Sequence, residues 1–349
     1  MEKIRLGKTG LMVTKIGFGG IPIQRVSEEQ AIAVVNRCLE LGINFLDTAN
    51  GYTNSEEHIG KALGGRHEGL ILATKSLART REEIANHLKL SLQRLGVEYI
   101  DLYQFHNVSD QKALKVILDP DGPRAVVEEA QKAGIVKHIG ITSHQIDIAK
   151  EAVKSGCFET IMFPLNFMDY EGTGELLSLA RQRDVGFIAM KPLAGGMIDD
   201  AAVAIKYLLQ RFSDVLIIPG IEKVPEIEEI IQIAEGSWKM TAAEKRKMKQ
   251  VKLELGTRFC RRCDYCQPCT VEIPISDVMS FPNLAKRLPL VRLYTGKFAA
   301  SFEKALNCNE CGECEERCPY NLPIREMMKE HIKRHEAGKK EYEAQLASR

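Results

Sequence analysis

Eight short apolar runs along residues 15–220, separated by stretches of helical periodicity, restrict this chain more than any other feature. They are KIGFGG (15–20), INFLD (43–47), GLILATK (69–75), YIDLYQFH (99–106), HIGIT (138–142), ETIMF (159–163), GFIAMK (186–191) and VLIIPG (215–220). Each has the length and apolar density of a strand buried on both faces. Between them apolar residues recur at helical spacing. SEEQAIAVVNRCLELG opens on Ser27 as an N-cap, carries Gln30 at capping-box spacing and stops at Gly42. TREEIANHLKLSLQRLG runs likewise from Thr80 to Gly96, and PRAVVEEAQKAG stops at Gly134. Parallel strands need crossover helices, and eight such units close a barrel. The first strand leads into no GxGxxG turn, which removes the main support for an open dinucleotide-binding sheet. The expected fold is α/β: a (β/α)8 TIM barrel over residues 1–235, entered through a hairpin at 4–14 with Gly10 in its turn region.

A barrel of this kind gathers its chemistry at the C-terminal strand ends. Asp47, Lys75 and His106 end the second, third and fourth runs, and Tyr52 follows the second. Together they suit reduction of a carbonyl. Hydride attack leaves an alkoxide, which needs a proton donor at its oxygen. A free phenol titrates near ~10, too high for efficient donation at neutral pH, and an adjacent ammonium lowers that value. In this reading Lys75 supplies the charge, Asp47 holds and balances it, and His106 orients the carbonyl.

The stretches GINFLDTANGYTNSEEHIGKAL, ILATK and DLYQFH resemble the signatures of the aldo-keto reductase family, and the resemblance covers roughly residues 3–235. It implies that Tyr52, Asp47, Lys75 and His106 are the catalytic tetrad, with Tyr52 as general acid. It further implies that NADPH or NADH lies across the barrel mouth and that the substrate is a small carbonyl compound or alcohol. At the family's carboxamide-holding and ring-stacking positions this chain reads Ser143-His144, Met162 and Met190, so Ser143 and the nearby Asn166 keep the expected chemistry. The family's phosphate clamp is replaced by IPGIEKVPEIEEI, where Gly220 and Lys223 can serve while Glu222 and Glu226 oppose a 2′-phosphate. The run MKPLAGG (190–196) resembles a subgroup with a C-terminal ferredoxin-like extension, and adds Lys191 and Pro192 to the cofactor set.

Beyond residue 236 the alternation stops, and eight of the ten cysteines crowd into 260–318. Cys308, Cys311, Cys314 and Cys318, followed by Pro319, have the spacing of a bacterial 4Fe-4S ferredoxin. Cys260, Cys263, Cys266 and Cys269 repeat it with a last gap one residue shorter and Thr270 in place of the proline. Zinc sites more often join two separated Cys-x2-Cys pairs. A mainly helical, ferredoxin-like iron–sulfur domain is therefore expected over 236–349. It would hold two clusters that exchange their fourth ligands, Cys318 and Cys269, or one cluster on the second run.

The net charge of +1 gives no general reason for a nucleic-acid or membrane partner, but basic residues outnumber acidic ones by seven from residue 236 onward. They either balance the clusters or dock an acidic carrier such as ferredoxin or flavodoxin. The segment MEKIRLGKTGLMV lacks the apolar core of a signal peptide and no apolar run spans a membrane, so a cytoplasmic location is expected. Two functions follow. The first is an NAD(P)H-dependent carbonyl reductase or alcohol dehydrogenase with appended 4Fe-4S clusters that serve electron transfer or structure. The second is an electron-transfer protein whose barrel is a docking or sensing module.

Overall fold

In the computed structural model, which describes residues 1–347, the chain divides into two compact units, residues 1–245 and 246–349. The first begins with an antiparallel hairpin of β1 (Lys3–Arg5) and β2 (Met12–Thr14). Gly10 takes a φ of 71° in its turn, a conformation that costs glycine nothing.

Eight parallel strands follow in sequential order: β3 (Phe18–Gly19), β4 (Phe45–Asp47), β5 (Ile71–Ser76), β6 (Ile100–Phe105), β7 (Val136–Thr142), β8 (Thr160–Pro164), β9 (Gly186–Met190) and β10 (Val215–Ile218). All eight apolar runs of the sequence are strands. The sheet closes on itself where the first strand segment meets the last. Gly17 N donates to Ile217 O at 2.9 Å, Gly19 N donates to Pro219 O at 2.9 Å, and parallel bridges join Ile16 to Ile217 and Gly19 to Gly220.

Strand alternation sends every second residue inward. Phe45, Ile71, Ala73, Leu102, Met162, Ile188, Leu216 and Ile218 form one buried cluster with Ile4, Leu6 and Val13 of the hairpin. Leu102 is fully buried. Truncating it to alanine would cost about 2–5 kcal/mol, the usual range for a buried leucine that leaves a cavity. Met162 belongs to this cluster and Met190 packs against it, so both fill core.

The crossover helices start as their sequences dictate. Ser27 Oγ accepts from Gln30 N at 3.3 Å, and Thr80 Oγ1 accepts from Glu83 N at 3.3 Å. The reciprocal half of the first capping box does not form, and the Gln30 amide nitrogen donates across to Glu222 O at 2.9 Å.

The second unit is helical. Its core joins Ile275, Val278, Met279, Phe281, Leu293, Phe302, Met327 and Met328, with several cysteines packed against it. The terminal helix Ile324–Ala347 buries Ile324, Met327, Met328, His331 and His335. Both imidazoles meet main-chain carbonyls: His331 Nδ1 lies 3.1 Å from Val278 O, and His335 Nε2 lies 3.1 Å from Leu293 O. The ring of His335 also stacks on Phe302, 3.9 Å between centroids. Among the described residues no helix is long and apolar enough to cross a membrane.

Candidate active site and cysteine cavities

The alternation that fills the barrel also builds its mouth. Asp47 shares the inward face of β4 with Phe45, Lys75 that of β5 with Ala73, and Gln104 that of β6 with Leu102. His106 continues that face just past the end of β6. Tyr52 sits in the loop after β4, held by Tyr52 N donating to Ala49 O and Ser55 N donating to Tyr52 O.

The four side chains expected to act together do meet. Lys75 is almost fully buried and donates to Asp47 Oδ2 at 2.6 Å and to Thr48 O at 2.7 Å. Its ammonium lies 4.9 Å from the centre of the Tyr52 ring. The rings of Tyr52 and His106 meet edge-on, 5.6 Å between centroids at 82°. Burial alone would lower the Lys75 ammonium, but Asp47 and the Tyr52 oxygen outweigh it and hold the amine above its ordinary value. Burial pushes the Asp47 carboxyl up against the pull of Lys75 and Gln104. Burial, then the charges of Lys75 and Arg79, hold His106 well below its ordinary value, so the imidazole is neutral at pH 7. His106 Nδ1 is buried without a hydrogen-bond partner.

Two residues join the site that the sequence reading missed. Gln104 is fully buried and its amide donates to Asp47 Oδ1 at 3.2 Å, so both carboxylate oxygens are held. A single polar residue at an inward position of an apolar strand was the available signal. Arg79, in the loop after β5, donates to the carbonyls of Leu77, Ala78, His106 and Asn107, tying two mouth loops together. Nothing local in the sequence marks it.

The six residues expected to hold a dinucleotide lie after the ends of β7, β8, β9 and β10, around the same mouth. Ser143, after β7, donates its hydroxyl hydrogen to Val108 O at 2.7 Å. Asn166, after β8, is engaged at both ends. Its amide donates to Asp169 Oδ2 and Lys191 O, and its oxygen accepts from Met168 N and Asp169 N. Lys191 has a left-handed φ of 57° as β9 turns into Pro192. Gly220 follows β10, where an added Cβ would lie 3.0 Å from Pro22. Lys223 precedes the helix Val224–Glu235, and there the amides of Glu222 and Lys223 already donate to the Glu226 carboxylate at 2.9 and 3.1 Å.

In the second unit the eight clustered cysteines are free and divide between two cavities. One is lined by Cys260, Cys263, Cys266 and Cys318, the other by Cys269, Cys308, Cys311 and Cys314. The fourth cysteine of each run thus faces the cavity of the other run. The loops repeat after 48 residues: Arg262 and Asp264 are left-handed in the first, Glu310 and Gly312 in the second. Among the described residues no three His, Cys, Asp or Glu side chains converge on one ion position. Four thiols line each cavity, the donor set that a 4Fe-4S cluster takes.

Residues 15–202 match the aldo/keto reductase family. The chain belongs to that family. As an aldo/keto reductase it is 29% identical over 214 residues to the uncharacterized oxidoreductase YqkF of Bacillus subtilis, covering 57% of this chain and 67% of that protein. It is 29% identical to the NADH-specific methylglyoxal reductase of Escherichia coli, over 57% of this chain and 69% of that one. The holo form of aldo-keto reductase AKR11C1 from Bacillus halodurans aligns with a TM-score of 0.62 at 27% identity, covering 72% of this chain and 96% of that one. Residues 259–323 match a 4Fe-4S dicluster domain. The barrel expectation and the ferredoxin-like extension both stand.

Proposed function

We propose that the barrel reduces an aldehyde or ketone with a nicotinamide dinucleotide, or oxidises the corresponding alcohol, with Tyr52 as the proton donor. One observation carries this reading: the buried Lys75 ammonium bridges Asp47 and the Tyr52 ring, while neutral His106 stands edge-on to the same phenol. The dinucleotide, when bound, supplies the hydride. Tyr52 gives its proton to the developing alkoxide and recovers one from solvent. The Lys75 charge favours loss of that proton, and Asp47 and Gln104 hold the ammonium in place. His106 hydrogen-bonds the carbonyl oxygen and fixes its approach.

Ser143, Asn166, Lys191, Pro192, Gly220 and Lys223 would hold the dinucleotide. Their common position after the C-terminal ends of neighbouring strands supports a ligand laid across the barrel mouth. The Glu226 carboxylate on the amides of Glu222 and Lys223 supports a cofactor without a 2′-phosphate, hence NADH over NADPH. The Tyr52→Phe protein should bind NADH normally, read by nicotinamide fluorescence, and lose about 100-fold or more in kcat on a carbonyl substrate, as loss of a general acid does. Full retention of kcat would remove Tyr52 from the role.

In the second unit Cys260, Cys263, Cys266 and Cys318 would hold one 4Fe-4S cluster, and Cys269, Cys308, Cys311 and Cys314 another. The two four-thiol cavities support both clusters and their exchanged fourth ligands. Such clusters, when bound, would supply one-electron chemistry, and the excess of basic residues in this part of the chain suits an acidic carrier such as ferredoxin or flavodoxin. Reduced thiols and iron–sulfur chemistry suit the cytoplasm.

A second reading, an electron carrier whose barrel only docks or senses, draws support from Ser143 and Asn166, which are bonded to the protein's own groups. Anaerobic titration with NADH separates the two. Carbonyl turnover supports the first, and nicotinamide binding without turnover of any carbonyl supports the second.

A further inference from the structure

The two cysteine runs are near copies offset by 48 residues, so a difference between them at matching positions isolates a cause. Cys263 matches Cys311, Asp264 matches Gly312, and the residue after the fourth cysteine is Thr270 in one run and Pro319 in the other. Because the fourth cysteines cross over, Thr270 lies at the cavity of Cys308, Cys311 and Cys314, and Pro319 at that of Cys260, Cys263 and Cys266. Proline offers that cavity no side-chain donor. Threonine offers a hydroxyl, and Thr270 Oγ1 lies 3.6 Å from Cys311 Sγ.

The direction of that hydrogen bond follows from its neighbours. Cys311 N donates to Asn309 Oδ1 at 3.3 Å, which turns the Asn309 amide nitrogen the other way. That nitrogen donates to Thr270 Oγ1 at 3.4 Å. A ligating thiolate carries no hydrogen, so the Thr270 hydroxyl is the donor to a cluster-bound Cys311 sulfur while its oxygen accepts from Asn309. The chain of donors therefore ends on a cluster ligand.

A hydrogen bond to a cluster sulfur, like solvent exposure, stabilises the added negative charge of the reduced state and raises the reduction potential. Both act at the same cavity. Cys311 is exposed, and Thr270 and Asn309 beside it are exposed and polar. Apolar side chains wall both cavities, Ile273, Ile275 and Met328 the first and Ile275, Met279 and Leu322 the second, so the exposed Cys311 with its hydroxyl partner is what sets the first apart. Guanidinium groups line both, Arg317 and Arg325 at one and Arg261 at the other, so they do not by themselves distinguish the cavities.

We propose that Thr270 makes the two clusters unequal: its hydroxyl, bonded to Cys311, causes the cluster on Cys269, Cys308, Cys311 and Cys314 to be reduced first. The first electron then rests on the cluster that reaches the surface at Cys311. This rests on the two-cluster reading above. The step adds one electron and no proton, and in the test the electron comes from dithionite.

The experiment is an anaerobic dithionite titration of the full-length, iron-loaded protein followed by electron paramagnetic resonance, with iron and sulfide counted on the same samples. In Thr270→Val the midpoint of the first reduction should fall while the second stays in place, and Thr270→Ser should restore the original pair. Two clusters' worth of iron with both midpoints indifferent to Thr270→Val, or a shift in the second step alone, would overturn the role of Thr270. A single cluster's worth of iron with one reduction step would overturn the two-cluster reading and this proposal with it. Thr270 is exposed and valine has its shape, so folding is not at stake.

Discussion

Replacing Lys75 with methionine should destabilise the barrel by an amount that depends on pH. Lys75 makes two hydrogen bonds, at 2.6 and 2.7 Å, and its loss strands the Asp47 carboxylate in the barrel lumen with only the Gln104 amide at 3.2 Å. Removing one partner of a buried pair typically costs about 3–5 kcal/mol. For a unit of this size, at roughly 2 °C per kcal/mol, Tm should fall by about 6–10 °C. Burial already raises the Asp47 carboxyl beside Lys75, and without that cation it is raised further above its unfolded value. A carboxyl raised in this way destabilises fully above its folded pKa, and the deficit shrinks as pH falls toward the unfolded value. The gap between wild type and Lys75→Met should therefore be wide at pH 8 and narrow at pH 5. The double variant Asp47→Asn/Lys75→Met should recover most of the loss and lose the pH dependence. Thermal unfolding by circular dichroism at the two pH values measures all three proteins. A Lys75→Met protein as stable as wild type, or with the same deficit at both pH values, would refute the description of the pair.

Gln104→Leu should weaken the hold on Asp47 by about 1.5–3 kcal/mol, the range for a hydrogen bond to a charged group. Because the amide pulls the Asp47 carboxyl down, its loss should also move the acid limb of the kcat profile to higher pH with KM unchanged. Glu226→Ala should free the amides of Glu222 and Lys223, lowering KM for NADPH and leaving that for NADH in place, which steady-state kinetics with both cofactors would read. Burial lowers His331 and His335, against Val278 O, Glu330, Leu293 O, Glu336 and Glu303 and with Arg334, Arg258 and Lys339 adding to it. A histidine lowered in the folded state stabilises above its unfolded pKa and loses that contribution as pH falls. The unfolding midpoint of the iron–sulfur unit should thus drop below about pH 6.5, the ordinary histidine value. His335→Phe should flatten that drop in a pH series of melting curves.

The barrel was legible because every strand carries its own apolar run and every connection its own helical period, both of which are local. The meeting of Asp47, Lys75 and His106 was legible for a related reason: strand alternation places them on the lumen once their strands are known. What escaped depends on partners far along the chain. Gln30 looks like half of a capping box, yet its amide crosses to Glu222 O on the last βα loop. Arg79 has an ordinary loop sequence around it, and two of its four carbonyl partners belong to His106 and Asn107 after the next strand. In the cysteine region the spacing pointed to iron and sulfur but left the pairing open, since the crossing of Cys269 and Cys318 is a property of two loops folded together.

The closure of the barrel also fixes when folding can finish. The first strand segment bonds to the last, Gly17 to Ile217 and Gly19 to Pro219, and the hairpin residues Ile4, Leu6 and Val13 pack against Leu216 and Ile218. On a ribosome, residues 4–19 emerge long before the strand that completes their seat. Their apolar side chains must wait in the open until β10 has left the exit tunnel, and such non-local pairing is slow and exposed to aggregation. Nascent chains with β10 still inside the exit tunnel should therefore be the ones that chaperones hold, and extension that brings residues 215–221 out of the tunnel should release them.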